Sequence, residues 1–386
     1  MPDTIFTILG VHLRELAERA ASVAPTGGFQ PTLRNLQVQV QPDLIRLSGT
    51  DLDLSVVVST PMVTATAPVT FLVPAQRLKE ILREVPPGEV EVSVAEPSEG
   101  IRRVSVAGGG AIWEMQVQDG NFPALPDVEK VQFASFPAAP FVAALKAVRF
   151  AASSDGANMG LSCVMVVPDG DGSAKVTASD GARLQQARVA QFPLSLQIPA
   201  IGSPAAVDEV YRLLSRNDEQ ETAQVAVTGS ELVFRVASSV FACRKLVTRA
   251  VDLENQIIRP AMDNRVELTV GRPELLEAIR RVRISADDKT SAIALKLSKN
   301  ELTVLARDKQ GNTAQQVLSV SWPGAARSMV VHHRYLSEAV SAASSPKCRI
   351  LLSTERTRKG VLLLQDDDTN VTGVVSQMAG SFVGYS

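Results

Sequence analysis

The sequence predicts an α+β protein made of three copies of one unit, each with two helices and several antiparallel strands. The first observation is a turn that recurs at Asp51, Asp180 and Asp308, with spacings of 129 and 128 residues. Since a third of 386 residues is about 129, this repeat fills the chain. The second is that helical and strand-type hydrophobic patterns alternate within each copy. The third is length, because about 100 to 200 residues per domain predicts two to four domains.

Two series of helices are predicted, one pair per copy. In both, apolar residues recur three and four positions apart. Helices of the first series begin near Leu13, Phe141 and Glu274. Helices of the second series follow a short apolar strand and a break near Pro74, Pro199 and His332.

Strands are predicted where apolar and polar residues alternate strictly, as in half-buried antiparallel sheets. The clearest such stretches are Leu36–Val40, Glu89–Val94, Glu231–Val236 and Ile293–Ser298. Glycine- and asparagine-rich turns separate them, at 108–110, 169–172, 298–300 and 311–312.

The three copies place domains at residues 1–126, 127–256 and 257–386. The joins lie in Phe122–Lys130 and Val251–Pro260, whose starts are 129 residues apart. Both joins contain proline, which disfavours helix in the residue before it and so predicts an extended linker.

The sequence contains no group of residues whose spacing would bring them together to catalyse a reaction or to bind a metal. The histidines are His12, His332 and His333, and the adjacent pair would point about 100° apart on a helix, unlike metal-ligating i, i+4 pairs. The Asp366–Asp368 run fits a solvated turn better than a metal site. No phosphate-binding loop, dinucleotide fingerprint or nucleophile elbow occurs. We therefore expect no catalytic residue, no metal and no cofactor, and a protein that is not an enzyme.

Composition narrows the class of partner. A net charge of −2 gives no overall basic field for nucleic acid, and 4% aromatic residues are too few for a base-stacking surface. Three widely spaced cysteines predict neither disulfides nor a zinc site, and fit a reducing cytoplasm.

Charge is nevertheless unevenly distributed. The six predicted helices carry +5, which leaves −7 for the rest of the chain. Basic residues favour the last turns of helices, where the macrodipole stabilises them, and this explains part of the excess. The alternative is that the helices share one face and present a positive surface to phosphate.

These residues resemble a known family. The triple repeat, GTDLDL and ASDGARL at the first two turns, FLVPAQRLKEIL, the FPALP join and ELLEAIRRVRISADDKT are similar to the bacterial DNA polymerase III β subunit family of sliding clamps. The resemblance covers nearly the whole chain. It implies three clamp domains per subunit and a ring-forming homodimer, two subunits head to tail, that encloses duplex DNA without reading its sequence.

The resemblance also implies a function and partners. The chain would tether the replicative DNA polymerase to double-stranded DNA, and would bind a clamp loader and other proteins with a clamp-binding motif. Helices would line the channel with loose phosphate contacts that permit sliding. The candidate lining residues are Arg14, Arg19, Arg77, Lys79, Arg83, Lys146, Arg149, Arg212, Arg216, Arg280 and Arg281.

Two further sites follow from the resemblance. Partners of the family insert a short peptide, glutamine followed by apolar and aromatic residues, into an apolar pocket. The matching residues are Leu161, Ser179, Gly181, Arg183, Leu184, Ile257, Val374, Val375 and Met378. The alternative for the apolar members is plain core packing. The candidate residues for the dimer interface are Arg283 and Ile284.

The chain departs from the family in three places. Ala182 replaces the usual His or Tyr after the glycine of the turn, the second join lacks the usual F-P and basic residue, and the C-terminus reads VVSQMAGSFVGYS. These changes predict an altered peptide affinity or preference. A divergent chromosomal clamp, a plasmid or phage copy, and a paralogue insensitive to pocket-binding inhibitors all remain open. The rival classes are a small-molecule-binding α+β protein, a hydrolase and a sequence-reading DNA-binding protein.

Overall fold

The structure is a computed structural model that describes most of the chain. The described residues are 4–61, 64–95, 102–117, 121–128, 131–154, 160–169, 171–193, 200–215, 222–246, 254–262, 265–353, 361–366 and 370–378. They form two compact units. The first unit comprises Met1–Ala138 and Arg212–Lys245, and the second comprises Ala139–Tyr211 and Leu246–Ser386.

The first third of the chain contains two helices and nine strands among its described residues. A short 3-10 turn at Pro31–Arg34 precedes the second strand. The elements are β1 Thr4–Leu9, α1 Gly10–Ala20, β2 Asn35–Gln41, β3 Leu44–Thr50, β4 Leu54–Pro61, β5 Thr64–Ala65, β6 Val69–Pro74, α2 Ala75–Glu84, β7 Glu89–Val94, β8 Arg102–Gly108 and β9 Ala111–Val117.

The middle third repeats this order. Its first helix ends in a 3-10 turn at Arg149–Ala151. The elements are β10 Ala134–Pro137, α3 Ala138–Val148, β11 Cys163–Pro168, β12 Ala174–Ser179, β13 Arg183–Val189, β14 Ile201–Gly202, α4 Pro204–Ser215, β15 Thr222–Val227, β16 Glu231–Val236 and β17 Ser239–Arg244.

The last third repeats it again, after a π-helical turn at Glu254–Ile258. Its first long helix ends in a 3-10 turn at Arg283–Ser285. The elements are α5 Arg259–Met262, β18 Arg265–Gly271, α6 Arg272–Val282, β19 Ala292–Ser298, β20 Glu301–Arg307, β21 Thr313–Ser319, β22 Arg327–His332, α7 His333–Ala342, β23 Lys347–Ser353, β24 Val361–Asp366 and β25 Val371–Ser376. The predicted α+β class is confirmed, and both predicted helix series form.

Each unit holds two antiparallel sheets. In the first unit the strand orders are β5-β1-β7-β8-β9 and β10-β15-β16-β17-β4-β3-β2-β6. In the second unit they are β14-β11-β12-β13-β25-β24-β23-β18 and β21-β20-β19-β22. The larger sheets are continuous across the repeats because β17 pairs with β4 and β13 pairs with β25. The middle repeat therefore contributes one set of strands to each unit, and the three domain boundaries remain a prediction.

Helices bury their apolar stripes against these sheets. In the second unit, Leu275 and Ile279 of α6 and Leu336 and Val340 of α7 are buried in one large core cluster. Their spacing of four positions places each pair on one helix face. Replacing such a buried leucine by alanine typically costs about 2–5 kcal/mol, so these stripes hold the helices on the sheet.

The second join differs from its prediction. An extended linker was expected over residues 251–260, but the described part of that stretch, from Glu254, is helical through Met262. Proline is compatible with helix in the first turn, where its missing N–H has no partner to lose, and Pro260 stands at the second position of α5. Ile257, Ile258 and Met262 pack onto the sheet, and this burial favours the helical turn. The first join was expected to be extended over residues 122–130; its described part, 122–128, has no regular secondary structure, and residues 129–130 lie outside the described residues.

No helix in the described residues is both long and apolar enough to cross a membrane.

Candidate functional site

The recurring aspartates each hold a turn by accepting backbone N–H groups, and the third turn is one residue longer than the first two. Asp51 Oδ1 accepts the backbone N–H groups of Asp53 and Leu54 at 3.0 and 2.7 Å. Asp180 Oδ1 accepts those of Ala182 and Arg183, both at 3.0 Å. Asp308 Oδ1 accepts the N–H of Asn312 at 2.8 Å. Such turns are fixed by a short carboxylate side chain that accepts backbone N–H groups two to four residues further along the chain. This explains why aspartate recurs at these positions.

The second of these turns is further held by its serine. Ser179 Oγ donates to the carbonyl of Arg183 at 2.7 Å and accepts the N–H of Gly181 at 3.2 Å. Gly181 has φ +88°, a left-handed conformation that costs glycine little. Leu161 lies beside it, with Cδ1 3.5 Å from where a β-carbon on Gly181 would be. Three predicted pocket residues therefore lie together around this turn.

Arg183 is almost enclosed, at 8% side-chain exposure. Its Nε donates to Asp180 Oδ2 at 3.0 Å, and its other nitrogens donate to the carboxylate of Glu338 and to the carbonyl of Phe150. The guanidinium also lies 4.4 Å from the ring centroid of Tyr335. Its donors face groups of its own chain, so Arg183 shapes this region from within.

An apolar cluster covers one face of the larger sheet of the second unit. We call it the β13/β25 cluster, and its members come from strands of the middle and last thirds and from the join. They are Cys163, Met165, Leu184, Ala200, Ile258, Leu351, Leu363 and Val374, with the partly buried Leu246, Ile257 and Met262 packed against them. Leu184 is the register partner of Val374. Leu184, Ile257 and Val374, all predicted pocket residues, are thus brought together.

Val374 and Val375 point to opposite faces of β25. Val374 belongs to the β13/β25 cluster, whereas Val375 lies in the helix-facing core and is fully buried there. Successive side chains of a strand alternate between faces, so both cannot contact one ligand on one face. The structure places Val375 on the face of the sheet that packs against the helices, opposite to the face that carries Leu184.

Met378 follows β25 and leaves the cluster's face. Its backbone N–H donates to the carbonyl of Val330 at 2.9 Å. Its side chain packs against Ala292, Ala294 and Val330, a small separate group of buried residues. The structure therefore places Met378 in a group separate from the β13/β25 cluster.

The predicted DNA-facing residues fall into three groups. Arg14 and Arg19 are half-buried and engaged with their own unit. Arg14 donates from Nε to the carbonyl of Leu82 at 2.6 Å and from Nη2 to that of Val85 at 2.7 Å. Arg19 donates to Ser239 Oγ at 3.0 Å and to Glu15 Oε1 at 2.5 Å.

The second group consists of basic residues paired with acids. Exposed Arg77 is 3.4 Å from Glu80, and exposed Arg280 and Arg281 share Glu277. Half-buried Arg149 pairs with Asp208.

The third group faces solvent more freely. Arg83 and Lys146 are exposed, Lys79 is half-buried, and none of the three forms an ion pair with another described residue. Arg212 is exposed, and Arg216 lies outside the described residues.

The two predicted interface residues lie in the 3-10 turn that ends α6. Ile284 is 85% exposed, and Arg283 is exposed beside it. Two sheet edges carry exposed apolar side chains as well: Ile112 on β9 and Val317 on β21. Both strands end their sheets in the described structure, and an unpaired strand edge can pair with another chain.

Several residues of the site were not predicted from the sequence. They are Met165, Ile258, Leu351 and Leu363 of the β13/β25 cluster and Tyr335 and Glu338 around Arg183. The continuous apolar runs CVMVV, ILL and VLLL signal strands buried on both faces, which could have pointed to Met165, Leu351 and Leu363. Nothing in the local pattern signals the second group, because its contacts join residues far apart in the chain.

Comparison with known proteins first defines the class. The chain has the fold of a sliding clamp. It matches the crystal structure of a sliding clamp (DNA polymerase III subunit beta) from Pseudomonas aeruginosa bound to griselimycin. The TM-score is 0.87 and the identity 20%, over 98% of this chain and 100% of that one. Among curated sequences, the beta sliding clamp of Escherichia coli (strain K12) is 24% identical over 353 residues, 90% of this chain and 93% of that protein. That of Synechocystis sp. is 25% identical over 363 residues, 88% of this chain and 89% of that protein.

Family models then give the family. The DNA polymerase III beta subunit N-terminal domain matches residues 4–126, and the C-terminal domain matches residues 260–379. Together these matches span more than half of the chain. The chain belongs to the DNA polymerase III beta subunit family, as the sequence motifs indicated.

Proposed function

We propose that this protein is a sliding clamp that encircles duplex DNA as a head-to-tail homodimer and tethers the replicative DNA polymerase to it. The observation that carries the proposal is family membership over both ends of the chain, joined to a two-helix unit repeated in all three thirds. Tethering raises the effective concentration of polymerase at the primer end and adds no catalytic group. The protein acts, on this proposal, as a tether in the cytoplasm and not as an enzyme.

The helices support the DNA-facing part of the proposal. Arg83 at the last turn of α2 and Lys146 near the end of α3 are exposed and unpaired among the described residues. A ring needs only loose phosphate contacts, because topology and not affinity keeps it on DNA. Such contacts carry no base specificity, which fits a protein with few aromatic residues.

The β13/β25 cluster supports the partner-binding part. An apolar floor of Leu184, Ile257 and Val374, bordered by the turn at Ser179 and Gly181, has the ordinary composition of a site for a short apolar peptide. Leu161 and Met378 extend its borders. Arg183 and Val375, which the family resemblance also suggested, would support the site from beneath and not contact the peptide.

The exposed turn after α6 and the two sheet edges support the homodimer. We propose that Ile284 and Arg283 lie at the interface, and that β9 of one copy continues the sheet ending in β21 of the other. Replacing Ile284 by aspartate would place a charge in that interface, and we expect light scattering to show monomers at concentrations where the parent chain is a dimer. The control is Val11→Asp, an equally simple change at an exposed apolar residue of α1.

The decisive experiment tests encirclement. The purified protein is loaded by a clamp loader onto nicked circular DNA, the salt concentration is raised, and the circle is then linearised. Retention on the circle at high salt followed by release from the free ends supports the proposal, since phosphate contacts alone weaken steeply with salt. Loss from the circle, with the loader shown to be active on a control clamp, would restrict the likeness to fold and favour a ligand-binding function.

A further inference from the structure

One predicted DNA-facing residue is held by an acid on a different helix. Arg149, in the turn that ends α3, forms an ion pair with Asp208 of α4. Its guanidinium carbon also lies 4.5 Å from the ring centroid of Tyr211 on the same helix, within the range of a cation–π contact. Asp208 and Tyr211 are three positions apart, so they share one face of α4 and hold Arg149 together.

This arrangement leaves the charge within reach of solvent. The side chains of Arg149 and Asp208 are 37% and 46% exposed. An ion pair this exposed contributes little to folding, because water screens it and two side chains must be ordered to form it. The pair can therefore open when a DNA phosphate approaches, and the phosphate can replace the carboxylate on Arg149.

The pairing distinguishes Arg149 from its neighbours. Lys146, one turn earlier on α3, is exposed and has no acidic partner among the described residues. Arg280 and Arg281 pair with Glu277, but that acid is on their own helix, where such i, i+3 and i, i+4 pairs are common surface features. Asp208 instead lies on α4 and pairs with an arginine in the turn that ends α3. Its carboxylate therefore neutralises one arginine that is predicted to contact phosphate.

We propose that Asp208 sets the strength of DNA contact by competing with phosphate for Arg149. The inference rests on the proposed function, and it adds a residue that regulates DNA contact at the surface proposed to face DNA. While Asp208 holds Arg149, the surface offers one cation fewer to the duplex. When Arg149 turns to a phosphate, the bare carboxylate remains nearby and repels the backbone. Both effects weaken the contact, and weak contacts favour sliding.

The inference predicts a measurable change in salt dependence. The slope of log binding constant against log salt concentration changes by about 0.9 for each phosphate contact on duplex DNA, or about 1.8 for the two copies of a dimer. Asp208→Asn keeps the size of the side chain and one acceptor oxygen, replaces the other oxygen by an NH2 group, and removes the charge. We expect D208N to bind duplex DNA more tightly at low salt and to steepen the slope by up to this amount.

A double-mutant cycle separates competition from a general change of charge. The proteins are the parent, D208N, R149A and D208N/R149A, together with Glu274→Gln, which makes the same change of charge at an exposed residue of α6. Binding to a short fluorescent duplex is measured by anisotropy across a series of salt concentrations. Thermal melting of each variant confirms that it is folded.

The expected result is coupling. D208N should steepen the slope in the parent background and have much less effect when Arg149 is absent, and E274Q should have less effect than D208N. Equal effects of D208N in both backgrounds, or equal effects of D208N and E274Q, would overturn the inference. Retention of the parent on circular DNA without this coupling would reject the role of Asp208 alone, whereas loss of the parent from the circle would reject the proposed function itself.

Discussion

The guanidinium of Arg183 and the carboxylate of Glu338 form an ion pair between residues 155 positions apart in the sequence. Arg183 begins β13, in the middle third, and Glu338 lies on α7, in the last third. The bond thus fastens the turn at Asp180 to a helix of the next repeat within the second unit. Because the same arginine also bonds Asp180 and the carbonyl of Phe150, one side chain fixes three segments.

Replacing Arg183 should therefore destabilise the second unit. Arg183→Met keeps much of the side-chain volume but leaves Asp180 and Glu338 without this partner. Glu338 keeps its ion pair with Arg334, but the mostly buried carboxylate of Asp180 loses its cation. We therefore expect a loss of about 2–4 kcal/mol in the free energy of unfolding by urea. Arg334→Ala is the matched control, because Arg334 pairs with the same Glu338 but is 66% exposed. Its loss should stay below about 1 kcal/mol. Equal losses of unfolding free energy in the two variants would show that Arg183 stabilises the second unit no more than the exposed Arg334 does.

Stability should fall on mild acidification because of His332. Burial lowers the pKa of His332 below its ordinary value of 6.5, and the charges of His333, Arg183 and Arg334 lower it further, opposed by Glu338. The unfolded chain then binds more protons than the folded chain as the pH falls through the ordinary value. Stability is full above about pH 6.5 and is lost progressively below it. We expect the melting temperature to be lower at about pH 5.5 than at about pH 7.5.

His332→Asn tests the origin of that loss. In the parent, Nδ1 of His332 accepts the backbone N–H of Arg334 at 3.3 Å and caps α7. Asparagine can provide the same cap but does not titrate, so the variant should keep its stability at neutral pH and lose less of it in acid. His333→Asn should also flatten the profile, since burial and Arg283 lower the pKa of His333. An unchanged profile in both variants would contradict the assignment.

The sequence predicts more of the fold than of the site. Periodicity is a local property, so the helices beginning at Leu13 and Glu274 and the strand at Glu89–Val94 could be predicted. The repeated aspartate predicted a repeated turn, and all three turns form. The helical segment 254–262 was missed because its stability comes from burial of Ile258 against distant strands, which no local pattern encodes.

The site required three-dimensional information for the same reason. Val374 and Val375 are indistinguishable by residue type, and only the pleat of β25 assigns them to opposite faces. Arginines on helices likewise look alike in sequence. The structure separates Arg14, whose donors reach carbonyls of another helix, from Arg83, which has no such partner among the described residues.

Truncating Met378 should weaken peptide binding at little cost in stability. The side chain is half-buried and packs against Ala292, Ala294 and Val330, and we propose that a peptide bound on the β13/β25 cluster reaches it. Its backbone bond to Val330 does not depend on the side chain. We expect Met378→Ala to reduce affinity for a peptide with glutamine followed by apolar and aromatic residues by about 5- to 30-fold, as for a residue contributing about 1–2 kcal/mol. Fluorescence polarisation measures this, with Val11→Ala as the exposed apolar control. Unchanged affinity would mean that the bound peptide does not reach Met378.

Replacing Arg14 should lower stability, whereas replacing Arg83 should weaken DNA binding. Arg14 donates to the carbonyls of Leu82 and Val85 at the end of α2, where acceptors lack intrahelical partners and a cation is favoured by the macrodipole. Arg14→Ala should therefore lower the free energy of unfolding by about 1–3 kcal/mol and leave the salt dependence of DNA binding unchanged. Arg83→Ala should change stability by less than about 0.5 kcal/mol and reduce the salt slope by about 0.9 for each phosphate that the arginine binds in the parent. Urea unfolding and anisotropy titrations on the same two variants measure both quantities. A reduced slope in Arg14→Ala with unchanged stability would mean that Arg14 releases α2 to reach phosphate, and that the side-chain bonds to Leu82 and Val85 do not hold it when DNA is present.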